Sequence, residues 1–174
     1  MQDLRFPIGP CPRDPDLTPE KRRLWTQHIA ETPQKMRAAV AGLSGEQLDT
    51  PYRDGGWTVR QLVHHVPDSH LNAYTRFRLA LTEPEPTIKP YDQEAWAELG
   101  DSRTAPIEMS LLLLEALHQR WGALLESLAD DDFARRFRHP EIGLVTLGEV
   151  LGIYAWHGPH HVAHVSGLRQ RNGW

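Results

Sequence analysis

Thr146-Leu147-Gly148-Glu149-Val150-Leu151-Gly152-Ile153-Tyr154-Ala155-Trp156-His157-Gly158-Pro159-His160-His161-Val162-Ala163-His164-Val165 is the stretch whose periodicity decides the fold. Thr146 and Glu149 have the spacing of a capping box, so a helix starts here. Basic Arg169 and Arg171 suit its C-terminal end. The helix carries four of the chain's 10 histidines within eight positions. His157/His161 and His160/His164 are each four apart, on one face of an α-helix. Two imidazoles so placed can bind one metal ion, with a third ligand from elsewhere in the fold.

Helical phase separates the four. With ~100° per residue and His157 at zero, Leu147, Val150, Tyr154, Val165 and Leu168 fall between ~20° and ~80°. His161 lies inside that apolar arc and His157 at its edge. His164 is farther out, and His160 is nearer solvent. Burying two imidazoles without partners is costly, and a metal satisfies both at once.

A second cluster, His64-His65-Val66-Pro67-Asp68-Ser69-His70, lies upstream. Thr58 and Gln61 form another capping box, and Leu62, Val66, Ala73, Phe77 and Ala80 extend the stripe to Thr82. Against that stripe His64 points away, while His65 and His70 both lie near the core side. Phase does not choose between these two. A lone inward histidine is ordinarily a core residue hydrogen-bonded to backbone, and His70 is read that way. Pro67 and Pro159 each stand two residues after a candidate ligand. They are expected to bend their helices and widen the bundle there.

Two further helices complete the pattern. Thr18-Pro19-Glu20 supplies an N-cap, a proline at the first helical position and an acidic first turn. Leu24, Trp25, Ile29, Met36, Val40 and Leu43 follow at helical spacing, with Pro33 expected to kink or split the segment and Ser44-Gly45 to end it. Another helix spans about Pro106 to Ala129 on Leu111, Leu114, Leu117, Trp121, Leu124 and Leu128. Residues 1–17, with prolines at 7, 10, 12 and 15, read as an extended arm. Residues 83–106 read as a long proline-bearing loop with a short turn around Trp96, of the kind that can act as a lid. No convincing alternating strand is present. The expectation is a single domain over 1–174: an all-α four-helix bundle with a long, crossover connection between helices 2 and 3.

Composition narrows the function classes. A net charge of −4 without a long basic run argues against a nucleic-acid footprint or a polybasic membrane anchor. Cys11 alone cannot form an intrachain disulfide. The N-terminus lacks a signal-peptide apolar core, and Met109–Leu114 is far short of the ~20 residues that span a bilayer. A cytoplasmic location is expected. Glu115-x-x-His118 matches a di-iron element, but a di-iron centre needs a second one, which the sequence lacks. No His-Glu-x-x-His, Cys-x-x-Cys or glycine-rich phosphate loop occurs. Trp57 and Trp156, beside the histidine clusters, are candidate pocket walls. Three neutral imidazoles would leave a divalent ion open coordination positions, which suits hydrolysis and thiol transfer equally.

Gly55-Gly56-Trp57-Thr58-Val59-Arg60-Gln61-Leu62-Val63-His64-His65 and Asp68-Ser69-His70-Leu71-Asn72 resemble the YfiT branch of the DinB-like superfamily. So do Thr87-Ile88-Lys89-Pro90-Tyr91, Trp96-Ala97-Glu98-Leu99, Tyr154-Ala155-Trp156-His157 and Gly173-Trp174. The resemblance implies a four-helix bundle, a homodimer and one divalent metal per subunit, Zn²⁺ first and Ni²⁺ second. It implies His65, His157 and His161 as ligands. It also implies a metal-dependent hydrolase or a bacillithiol-type thiol S-transferase acting on a small molecule, with no catalytic side chain specified. Pro67 and Pro159 depart from the family pattern. A non-catalytic stress-response module, stapled by its metal, is the alternative.

Overall fold

A computed structural model describes residues 3–12 and 16–174. Pro15 of the expected arm lies outside the described residues. Seven α-helices are present among them: α1 Pro19–Val40, α2 Gly45–Leu48, α3 Val59–Thr82, α4 Gln93–Ala97, α5 Gly100–Thr104, α6 Ile107–Ser127 and α7 Leu147–Asn172. Four long ones, α1, α3, α6 and α7, form the bundle.

The caps read from sequence hold. Thr18, Thr58 and Thr146 each accept a hydrogen bond from the backbone N–H three residues on, and Gln61 and Glu149 complete capping boxes. At the far end of α7, Gly173 takes the left-handed conformation (φ 69°) that closes a helix. Ser44-Gly45 does more than end α1, because Ser44 caps the short α2.

Three expectations are corrected. First, the split allowed at Pro33 does not occur: α1 runs unbroken through it, as α3 and α7 do through Pro67 and Pro159. Second, the chain is not purely helical. Arg136–His139 (β1) and Gly143–Thr146 (β2) pair antiparallel, Phe137 opposite Val145, with both side chains buried under the bundle. Strands of four residues are too short for alternation to announce them. Third, α1 packs on α6 and α7, and α3 packs on the same two helices. The diagonal pairs are therefore α1/α3 and α6/α7, which are consecutive in sequence. The crossings lie in the α1–α3 and α6–α7 connections, while α3 and α6, joined by the long loop, are neighbours. That loop is itself structured by α4 and α5, and Ile88 and Arg138 tie it to β1 by backbone hydrogen bonds.

The core divides in two. One cluster contains Phe77, Trp121, Phe137, Leu147 and Leu151, and the other Met36, Leu62, Leu114, Val165 and Leu168. Histidines occupy the level between them. No described helix is long and apolar enough to cross a membrane.

Candidate metal centre

His65 comes from α3, His157 and His161 from α7, and the three rings meet where these two helices pack. His65 Nε2 lies 3.4 Å from His157 Nε2, and His161 Nε2 lies 3.1 Å from it. The structure thus brings together the two residues that phase selected on the last helix, and it takes His65 over His70 from the second cluster. His65 and His161 are buried and His157 partly so. Burial pushes the His65 imidazole down to about 4, and burial with the neighbouring rings holds His157 and His161 well below the ordinary imidazole range. All three are neutral near pH 7 and have lone pairs to donate.

A cavity of about 290 Å³ opens onto these rings. Its floor is the histidines, and its walls include Tyr52, Arg53, Trp57, Glu94 and Trp156. Trp57 stands 4.6 Å from the His65 ring and donates its indole N–H to Glu94 Oε2 at 3.0 Å. Both tryptophans singled out from sequence do line the pocket. The Tyr52–Trp57 turn reaches it through Gly55, whose φ of 63° disfavours side-chain-bearing residues.

His64, His160 and His164, which helical phase reads as surface groups or as supports behind the ligands, are buried: His64 is 6% exposed, His160 7% and His164 3%. Helical phase reports the bundle axis, not what loops lay over the outer face. Here the N-terminal arm does so, with Gly9 O accepting from Trp156 Nε1 at 3.2 Å and Arg5 O lying 3.3 Å from His164 Nε2. Tyr52 stacks on His164 from the other side. His64 is covered where α5 gives way to α6, with Ser110 Oγ at 2.7 Å and Ala105 O at 3.2 Å from its ring nitrogens. His160, His161 and His164 form a second close group, sharing His161 with the first.

His70 is fully buried, as its core reading required, yet its partners are imidazoles rather than backbone. Its Nε2 lies 3.1 Å from His157 Nδ1 and its Nδ1 2.8 Å from His118 Nε2. His118, met in the sequence only as half of a di-iron element, completes the row by placing Nδ1 2.6 Å from Ile29 O. Sequence reasoning missed this row. The available signal was Pro33, which removes the N–H that Ile29 O would otherwise accept.

Known proteins resemble the chain along nearly its whole length. A 174-residue protein of Bacillus cereus (strain 03BB102), named "Putative metal-dependent hydrolase", is 53% identical over the whole of both chains. A protein of Bacillus thuringiensis subsp. konkukian (strain 97-27) with the same description matches equally. Among solved structures, YfiT from Bacillus subtilis superposes with a TM-score of 0.96 at 50% identity, covering 98% of each chain. It is described as "a probable metal-dependent hydrolase with an unusual four-helix bundle topology". The pattern of the DinB superfamily matches residues 28–165. On bundle, histidine cluster and relatives together, the chain belongs to the DinB superfamily, in its YfiT family.

Proposed function

We propose that His65, His157 and His161 hold one divalent metal ion through their Nε2 atoms and that the protein is an enzyme acting on a small molecule in the pocket above. The observation that carries this reading is the convergence of three neutral imidazole nitrogens, from His65, His157 and His161, on one point beneath an open cavity. A structural zinc site is closed by four protein ligands, whereas a catalytic one leaves a position open. Zn²⁺ suits the donor set, and Ni²⁺ is the alternative. Such an ion supplies Lewis acidity, which makes water or a small thiol nucleophilic near neutral pH.

The chain's own residues supply the rest. Glu94 is the one carboxylate among the described residues lining the pocket, and Trp57 holds one of its oxygens. Glu94 is placed to take the proton the nucleophile loses, and Arg53 offers positive charge to an anionic group of the substrate. The relatives' descriptions support hydrolysis, with thiol transfer the second chemistry the same site allows. An exposed apolar face on α6 supports a homodimer.

The test is an activity screen of metal-loaded protein, pairing ester and amide substrates in water with electrophiles plus low-molecular-weight thiols. Turnover without thiol assigns a hydrolase, and turnover only with thiol assigns a transferase. Glu94→Gln, which preserves the acceptor for Trp57, is expected to keep the metal and lose roughly 10²–10⁴-fold in turnover. A protein binding one ion per chain yet inactive throughout the screen would overturn the enzymatic reading in favour of a stapled module.

A further inference from the structure

Each proposed ligand on α7 reaches a backbone carbonyl through buried imidazoles. We infer that these two carbonyls, Ile29 O and Arg5 O, set the tautomers of His157 and His161, so that both present bare Nε2 lone pairs to the same point before any ion arrives. The inference rests on the ligand assignment above and concerns the residues behind it.

A neutral imidazole has one N–H and one lone pair, so each ring passes a direction to the next. The first row begins at Ile29. Its carbonyl lies in the middle of α1, where the N–H four residues on would ordinarily occupy it, but that residue is Pro33. His118 Nδ1 stands 2.6 Å from this carbonyl. A carbonyl only accepts, so Nδ1 carries the hydrogen and His118 Nε2 is the lone pair. That lone pair accepts from His70 Nδ1–H at 2.8 Å. His70 Nε2 is then an acceptor, and takes its hydrogen bond from His157 Nδ1–H at 3.1 Å. His157 Nε2 is left bare.

The second row is shorter. His164 Nε2 lies 3.3 Å from Arg5 O and must donate to it. Its Nδ1 is left to accept from His161 Nδ1–H at 3.4 Å, which again leaves Nε2 bare. Rows that started from different elements, α1 and the N-terminal arm, end in the same polarity. His118, His70 and His164 are therefore positioning residues, acting through the ligands rather than on substrate. His65 has no such row: its second nitrogen meets no hydrogen-bond partner among the described residues, and Trp57 holds its ring by packing.

This arrangement also decides between the two histidine groups. An ion at His160, His161 and His164 that drew on His161 Nδ1, the nitrogen facing His164, would need the hydrogen moved to Nε2, where it would spoil the first site. The relay therefore expects one ion per chain. Outer partners that set the tautomer of a ligating histidine typically account for 10- to 100-fold in metal affinity.

The experiment reads tautomers directly, by long-range ¹H–¹⁵N correlation spectra of the metal-free, full-length protein. Both His157 and His161 are expected as Nδ1–H forms, and an Nε2–H form for either overturns the inference. His118→Leu removes the acceptor for His70 and is expected to mix the His157 tautomers and weaken Zn²⁺ binding about 10- to 100-fold. His118→Gln, whose side-chain oxygen can still accept from His70, restores affinity to within a few-fold. His164→Leu and His164→Asn make the same comparison in the second row, should His118→Leu fail to fold. Single alanine replacements of His65, His157 and His161 separate the two readings. If they retain the ion, the ligand assignment fails. If they lose it while folded His118→Leu and His164→Leu bind as tightly as the parent, the relay alone fails. Two ions per chain also overturn it.

Discussion

Gly158 shows what one side chain decides. A Cβ there would lie 2.6 Å from Thr32 Cγ2 and overlap Thr32 Oγ1 as well. The neighbour of a proposed ligand is glycine because α1 and α7 approach backbone to side chain at this level. Gly158→Ala is expected to lower stability by about 1–3 kcal/mol through overpacking. Thr32→Ala in the same chain removes both clashing atoms, leaving Thr32 Cβ at 3.0 Å, so it should recover part of the loss. Urea denaturation of the two variants checks this, and a Gly158→Ala protein as stable as the parent would show that the helices slide apart freely. Pro33 is the second such residue. Its reading as a helix breaker was physically sound but pointed at the wrong consequence: the helix persists, and the carbonyl it releases becomes the anchor for His118.

At the scale of elements, α6 carries apolar residues on two faces, one buried and one exposed. Leu111, Leu114, Leu117, Trp121 and Leu125 are buried, while Met109, Leu112 and Leu113 are 64%, 55% and 43% exposed. These three follow i, i+3, i+4 spacing, so they form one continuous apolar face. Contiguous exposed apolar surface of this kind marks an interaction site more often than chance does. On the homodimer reading, sedimentation equilibrium gives twice the 19.9 kDa chain mass, and Leu112→Glu shifts the protein towards the monomer without unfolding it. A monomeric parent at micromolar concentration counts against the dimer. The capping boxes at α3 and α7 were legible because they need only three residues of local sequence. The β1–β2 hairpin was not, since its strands are held by burial of Phe137 and Val145 against the bundle.

Across the whole molecule, the concentration of neutral histidines makes a pH response unavoidable. Burial is the leading cause that lowers His64, His65, His70, His118, His157, His160, His161 and His164 from the ordinary imidazole range, several of them to about 4. A lowered histidine contributes stability that is intact above the unfolded value of about 6.5 and is lost as pH falls towards the folded one, because the unfolded chain then takes up more protons. Asp68 acts oppositely. Burial and the nearby Asp101 raise it to about 6, so it favours the fold at low pH, but it is one group against eight. The metal-free protein should therefore lose several kcal/mol between pH 7 and pH 5. Urea midpoints measured across that range test this, and a flat or rising profile would refute it.

The sequence alone determined the four long helices, the caps of α1, α3 and α7, the His157/His161 pairing on one helix face and the family resemblance. Each is written in short-range spacing or in blocks that survive without coordinates. Only the tertiary structure decided the rest. The crossing connections depend on which helices pack side by side. Of the two α3 histidines facing α7, it is His65 whose ring lies together with both His157 and His161. His160 and His164 left the surface because an arm about 150 residues distant in sequence lies over them. Periodicity describes the face a residue presents to its own helix axis. Burial, and the carbonyl an imidazole finally meets, depend on chains that periodicity never sees.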